Sequence, residues 1–244
     1  MSAQVALVTG GSRGIGRAIA LRLAADGYRI VVNYRSRDTD AEETRRAVAD
    51  AGTECTTYRA DVSESGDVRT LFEHVRATYG LLDVLVNCAG RVHEALFAMT
   101  PPAAFMKVVA DNLAATVFCS HAALPLMIKQ RSGAIVNVSS TAANGVAGLT
   151  AYGASKAAVN ALTRGLAREV AALGIRVNAV APSWTQTEMT ENITSNPKLV
   201  ERIRRIPVGR IARPEEVAAV VSALVRGEMT YVIGQTIAVD GGGS

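Results

Sequence analysis

Two textures alternate along the chain. Short runs of β-branched and aliphatic residues, "VALVT", "RIVVNY", "TTYRADV", "DVLVNCAG", "AIVNVSS", "RVNAVAP" and "TIAVD", are separated by longer stretches with apolar positions at helical spacing. Strands that are apolar on both faces and alternate with helices belong to parallel βαβ units, whose crossovers are right-handed and whose helices cover both sides of the sheet. The pattern predicts an α/β fold, a single doubly wound (Rossmann) domain over residues 1–244 with a seven-stranded parallel sheet. The rhythm breaks at about 183–213, where polar residues and prolines replace it. An insertion there overhangs the carboxyl ends of the strands, where such sheets bind ligands, and is expected to act as a substrate lid.

Composition narrows the function classes. With 49% hydrophobic, 20% charged and only 5% aromatic residues in 244, the core is aliphatic and disorder is not expected. The net charge of +4 is scattered, without an aromatic-studded basic strip, which argues against nucleic acid and for mild attraction to phosphates or an acidic partner. The opening "MSAQ" runs into "VALVT" without a basic, apolar leader, and no uninterrupted apolar stretch approaches the roughly 20 residues of a membrane span. A cytoplasmic location without membrane association is expected. Cys55, Cys88 and Cys119 are odd in number and widely spaced, so neither a disulfide framework nor a metal site is expected.

Two motifs carry chemistry. At the end of the first strand "TGGSRGIG" sets Gly10, Gly14 and Gly16 before a helix beginning near Ile15. Glycines there permit a tight turn and close backbone approach to a pyrophosphate, which then meets the positive end of the helix. Further on, Tyr152 and Lys156 stand four apart, on one helix face, downstream of the adjacent Ser139 and Ser140. A tyrosine of ordinary pKa, about 10, is a reluctant proton donor; a neighbouring ammonium stabilises its phenolate. Adjacent strand residues point to opposite faces, so only one serine can face a substrate.

These motifs, with "NCAG" at 87–90, "DNL" at 111–113, "VNVSS" and "YGASK", resemble the successive signatures of the short-chain dehydrogenase/reductase family nearly end to end, most like bacterial 3-oxoacyl-[acyl-carrier-protein] reductases. The resemblance implies a catalytic set of Asn112, Ser140, Tyr152 and Lys156: Tyr152 the proton donor, the serine holding the carbonyl oxygen, Lys156 also binding the nicotinamide ribose, and Asn112 anchoring a water. The family's usual spacing back from Tyr152 selects Ser139, whereas alignment of the strand selects Ser140. A strand slip would reverse every buried side chain, while a loop absorbs a deletion, so Ser140 is preferred. For the cofactor the resemblance implies Gly10, Ser12, Arg13, Gly14, Ile15 and Gly16, then Asp61 and Val62 at the adenine, Asn87, Ala89 and Gly90, and finally Pro182 and Thr187 beside Tyr152 and Lys156.

The sequence departs from that pattern at Cys88, where a second asparagine is usual, and at Ser183 and Trp184, where a glycine usually follows Pro182. The first loses a polar anchor near the adenosine; Trp184 is expected to shape the substrate pocket. At the end of the second strand stands Asn33, not an acidic residue that would repel a 2′-phosphate, and Arg13 with Arg35 or Arg37 can pair with one. NADPH is therefore the expected cofactor. The leading reading is reduction of a 3-ketoacyl thioester on a carrier protein, in fatty-acid or polyketide construction. Oxidoreduction of a free small ketone, alcohol or sugar is the alternative, and cofactor binding without turnover a third. The resemblance further implies a homotetramer and carrier docking near the site entrance, for which Arg131 matches one basic position while Leu173 occupies the other.

Overall fold

The computed structural model describes residues 4–188, 201 and 203–243. Seven strands, β1 (Val5–Thr9), β2 (Arg29–Tyr34), β3 (Cys55–Arg59), β4 (Val84–Asn87), β5 (Gly133–Val138), β6 (Ile175–Pro182) and β7 (Thr236–Val239), form one sheet in the order β3-β2-β1-β4-β5-β6-β7. Every neighbouring pair is parallel. The order reverses direction between β1 and β4, which opens a crevice at the strands' carboxyl ends.

Alternation along each strand feeds two cores. Ala6 and Val8 face a cluster with helices α1 (Gly14–Ala25), α2 (Asp38–Asp50) and α6 (Pro214–Val225), whereas Val5 and Leu7 face α3 (Ser65–Tyr79), α4 (Pro102–Gln130) and α5 (Thr150–Val170). The apolar runs are thus strands covered on both faces, as their lack of polar alternation predicts. The run "TTYRADV" reaches further than its strand. β3 ends at Arg59, because Asn33 Nδ2 donates to the carbonyls of Tyr58 and Ala60 (3.3 and 3.0 Å) and the Asp61 N–H turns to Asp67 Oδ2 (2.8 Å).

Side-chain clasps and missing side chains hold the crevice together. The buried Thr9 hydroxyl at the end of β1 accepts from the N–H groups of Cys88 and Ala89 (3.0 and 3.1 Å), tying the chain after β4 to β1. A Cβ on Gly16 would overlap the Gly10 carbonyl, so α1 leaves the turn more tightly than any side chain allows. Beyond β5, a 3-10 turn at Thr141–Asn144 receives α5 so closely that a Cβ on Gly153 would lie 2.5 Å from the Ala142 oxygen.

By length and composition alone α4, 29 residues with a mean hydropathy of 1.3 over its most apolar window, could cross a membrane. Here Val108, Ala115, Cys119, Ala123 and Met127 form its buried face, and Asn112, Thr116 and Ser120 add buried polar groups on that side. Thr185 forms an isolated parallel bridge with Ala212, fastening the start of the expected lid to its end. Residues 189–200 and 202 of that segment lie outside the described residues.

Gly153→Ala is expected to destabilise the protein by about 1–3 kcal/mol, the ordinary cost of overpacking. Urea unfolding measures it, and an unchanged midpoint would mean that α5 can shift without loss.

Candidate active site

One cleft at the carboxyl ends of the strands is lined by nearly every residue the sequence singles out. Its outer part contains Gly10, Ser12, Arg13, Gly14, Ile15 and Gly16 from the β1–α1 turn, Asn33 and Arg35 from the end of β2, and Asp61 and Val62 after β3. Its inner part contains Ala89, Gly90, Asn112, Ser140, Tyr152, Lys156, Pro182 and Thr187.

Asn87 is the exception. Its side chain donates to Ser120 Oγ (3.0 Å) and Asn137 Oδ1 (2.9 Å), inside a buried polar layer that continues from Asn137 to Thr163 (2.8 Å). Strand alternation turns Asn87 under the sheet, so it supports the cleft without lining it. Trp184, expected in the substrate pocket, is half-buried and also outside the lining. Ser183 does line the cleft, with its N–H held by the Val239 carbonyl at 3.1 Å.

The serines separate as strand alternation requires. Ser139 N–H still bonds Val180 O (2.7 Å), and Ser140 remains extended at φ −164° and ψ 152°, so the alternation runs past the end of β5. Ser139 Oγ is buried against the Lys156 carbonyl (3.2 Å). Ser140 Oγ accepts from Ala142 N–H (3.1 Å), donates to Pro182 O (3.4 Å) and lies close enough to the Tyr152 phenol to favour its ionised form. Ser139 also contributes to the cleft wall, but only Ser140 reaches the tyrosine.

Beneath them Lys156, 4% exposed, donates to the Val138 carbonyl at 2.7 Å, and its ammonium stands 5.7 Å from the Tyr152 ring centroid. The expected depression of the tyrosine pKa is absent from this arrangement. Burial pushes the phenol up to about 12, only partly offset by the Ser140 hydroxyl, while burial draws Lys156 down to about 8. Desolvation is the largest cause of both shifts, and the ammonium is turned to the Val138 carbonyl. Tyr152 is consequently a fully protonated donor at neutral pH.

Asn112 is committed to positioning. Its Oδ1 accepts from Arg91 N–H (2.9 Å), and its Nδ2 donates to Arg91 O (3.0 Å) and Ser155 Oγ (3.0 Å), whose own proton goes to the Tyr152 carbonyl (2.6 Å). The side chain binds the β4–α4 connection to the second turn of α5. A water anchored here would have to use the remaining lone pair of Oδ1.

The three cysteines are free thiols held protonated by burial, at about 12 for Cys55 and Cys119 and about 11 for Cys88. For Cys88 the nearby Lys156 charge opposes the shift, so this substitution lies close to the tetrad and not only beside the adenosine.

The cleft fits a dinucleotide on its own terms. A Cβ on Gly10 would come 3.0 Å from Ala89 Cα, and one on Gly90 would come 3.3 Å from Asn112 Oδ1 and 3.5 Å from Lys156 Nζ, so there is little room for side chains along its floor. Gly14 takes φ +54° at the start of α1, whose free N–H groups suit a pyrophosphate. The outer cleft also holds two residues that motif reading weighted too little. Arg37, in the left-handed region at φ 69°, and Glu188, directly after Thr187, both line it and are joined by an ion pair of 2.6 Å. An acid following the threonine, opposite the loop arginines, was the available sequence signal.

The buried lysine makes a prediction about stability. Its pKa is about 8 folded against 10.5 for a free side chain, so the unfolded state binds more protons between those values and stability from this group rises with pH across them. The wild type should gain stability over Lys156→Met between pH 8 and pH 10 in urea unfolding. A parallel pH dependence of the two would contradict the buried-charge reading.

Comparison with known proteins agrees with this geometry. The family model described as enoyl-(acyl carrier protein) reductase matches residues 10–244. A 3-oxoacyl-[acyl-carrier-protein] reductase of Synechocystis sp. is 40% identical over 99% of this chain and 97% of its own, and a granaticin polyketide synthase putative ketoacyl reductase 2 of Streptomyces violaceoruber is 43% identical over 98% and 96%. Among solved structures, NAD+-bound xylitol dehydrogenase superposes with a TM-score of 0.92 at 30% identity, covering 98% of both chains. Levodione reductase gives 0.93 at 33% identity, covering 98% of this chain and 96% of its own. The similarity spans nearly the full length of this chain and of these proteins, and the chain belongs to the short-chain dehydrogenase/reductase family of oxidoreductases.

Proposed function

We propose that the protein is an NADPH-dependent reductase that converts a 3-ketoacyl thioester, carried on an acyl carrier protein in fatty-acid or polyketide construction, to the 3-hydroxyacyl product. The observation carrying this reading is that Ser140, Tyr152 and Lys156 line the inner end of the glycine-turn cleft together, with the Lys156 ammonium 5.7 Å from the Tyr152 ring centroid. A ketone oxygen fits between the two hydroxyl donors, and curated relatives at about 40% identity over nearly their whole length carry ketoacyl reductase names.

A bound reduced nicotinamide would supply the hydride equivalent to the carbonyl carbon. Ser140 Oγ would hold the carbonyl oxygen and turn it toward Tyr152. As negative charge develops on that oxygen, the phenol donates its proton and the charge passes to the phenolate. The Lys156 charge then stabilises a phenolate that burial alone would disfavour. Gly90 leaves room for the nicotinamide end, and Asn112 fixes Arg91 against α5, so one polar side chain holds two walls of the site in register. Arg13, Arg35 and Arg37 are the cations available to a 2′-phosphate, with no acid at the Asn33 position.

Carrier docking needs a correction. Arg131 follows α4 at the amino end of β5, and six residues of strand, roughly 20 Å, separate it from the serines at the other end. It lies beside the Ala171–Leu173 turn, where a Cβ on Gly174 would overlap the Arg131 carbonyl. Arg131 therefore does not border its own cleft, and as a carrier contact it would serve a neighbouring copy. A homotetramer suits this: α4 exposes Met106, Val117 and Ile128, and α5 exposes Ala154, Ala157 and Ala161. A cytoplasmic location follows from the same reading.

Ser140→Ala is expected to lower kcat by at least about 100-fold, the lower range for a positioned catalytic group, and Ser139→Ala to change it little. Steady-state reduction of acetoacetyl thioester decides between them; the reverse order would move the catalytic role to Ser139. In a panel of acetoacetyl on a carrier protein, acetoacetyl on a short thiol, free ketones and sugars, carrier-bound substrate should give the highest kcat/KM, and NADPH should outperform NADH at least tenfold. Arg131→Glu should weaken only the carrier-bound reaction. A free ketone or sugar exceeding both thioesters tenfold would replace the proposed substrate class.

A further inference from the structure

The outer end of the cleft contains an anion of the protein's own. Arg13, at the N-cap of α1, and Arg37, at the N-cap of α2, come from different loops and converge on one atom, Glu188 Oε2, at 2.8 and 2.6 Å. All three line the cleft beside Asn33 and Arg35. Arg37 reaches the carboxylate from a left-handed backbone at φ 69°, a conformation that costs a non-glycine residue about 1 kcal/mol or more. Among the described non-glycine residues only Arg131 also has a positive φ.

The charges around this point balance. Arg37 Nε also pairs with Asp40 (2.8 Å) and Arg35 with Asp61 (3.5 Å), so the cations Arg13, Arg35 and Arg37 face the anions Glu188, Asp40 and Asp61. Asp40 lies on α2 three residues from Arg37, and Asp61 Oδ1 is held by Ser63 N–H and Oγ (3.0 and 2.7 Å); both are fixed by their own neighbourhoods. Glu188 belongs to neither arginine's local chain. Among the described residues its carboxylate is bound from across the cleft, by the same two guanidinium groups that a phosphate monoester would engage with its several oxygens.

We infer that Glu188 is a specificity-determining residue: its carboxylate occupies the seat of the cofactor's 2′-phosphate, so 2′-phosphorylated ligands must displace it and ligands with a free 2′-hydroxyl need not. This inference rests on the NADPH reading above and adds a competitor within the same site. A dianionic phosphate with three acceptor oxygens outcompetes a single carboxylate for two arginines, so NADPH still binds, but more weakly than the arginines alone would allow. The NADH complex leaves the Arg13–Glu188–Arg37 bridge intact. Glu188 thereby reduces the discrimination between the two cofactors without contacting the nicotinamide or the substrate.

Calorimetric titration of the full chain with NADPH, NADH and adenosine 2′,5′-bisphosphate tests this without turnover. Glu188→Gln keeps the side chain's size and removes its charge. It should tighten NADPH and the bisphosphate by at least about fivefold, the scale of one exposed ion pair, and change NADH less than twofold. Unchanged or weakened NADPH binding in Glu188→Gln overturns the inference, weakened binding meaning that Glu188 orients the arginines. Arg13→Ala and Arg37→Ala, titrated in parallel, test the NADPH reading by itself. If both leave NADPH affinity untouched and the wild type binds NADH as tightly, that reading fails. If the arginine variants weaken NADPH while Glu188→Gln changes nothing, only the competition fails.

Discussion

The catalytic end of the molecule depends on how closely α5 lies against the chain leaving β5. Gly153 lets the Ala142 carbonyl into space a side chain would need, and one turn later Lys156 reaches back to the Val138 carbonyl. These contacts fix the depth of Tyr152 relative to Ser140, and Ser140 itself caps the 3-10 turn that Gly153 touches. The Ser140 hydroxyl is thus part of the packing that positions the tyrosine. A small displacement of α5 would break both at once, which is how a rigid scaffold converts ordinary packing into catalytic orientation.

The same closeness sets the electrostatics. Tyr152 and Lys156 are both desolvated, and burial moves each away from its charged form: the phenol upward, the ammonium downward. Neither shift is a by-product to be minimised. A phenol that stays protonated at neutral pH is a ready donor, and a lysine near neutrality has its charge available when a phenolate appears. The outer cleft solves a different problem in a wetter place, where exposed arginines are neutralised pairwise by carboxylates and can exchange one anion for another.

Much of this was legible in the sequence because buried parallel strands leave little ambiguity. All seven apolar runs are strands, their order reverses at the glycine turn, and the strand argument separates Ser139 from Ser140 because extended backbone continues two residues past Val138. What escaped depends on three-dimensional direction, not residue type. Asn87 has the right motif but the wrong face of its strand, and its amide serves Ser120 and Asn137. Arg131 has the right identity but lies at the opposite end of the sheet. Glu188 reads as one more polar residue in an irregular segment until the fold brings it within 3 Å of two arginines separated from it by more than 150 positions.

These outcomes divide the cleft into a part set by backbone and a part set by side chains. The glycine-turn region is defined by the Gly16 position, where a Cβ is impossible, by the positive φ and tight contact at Gly10, and by the Thr9 clasp, so it depends on backbone more than on side chains. The two ends of the cleft have no such constraint. At one end stand the exposed ion pairs of Arg37, Arg35 and Glu188; at the other, Ser183 stands at the start of the irregular segment beyond β6. A family that keeps its glycine floor and tetrad can change cofactor or substrate at these ends without disturbing the sheet. That is the physical reason a ketoacyl reductase, a xylitol dehydrogenase and a levodione reductase can share one frame with this chain.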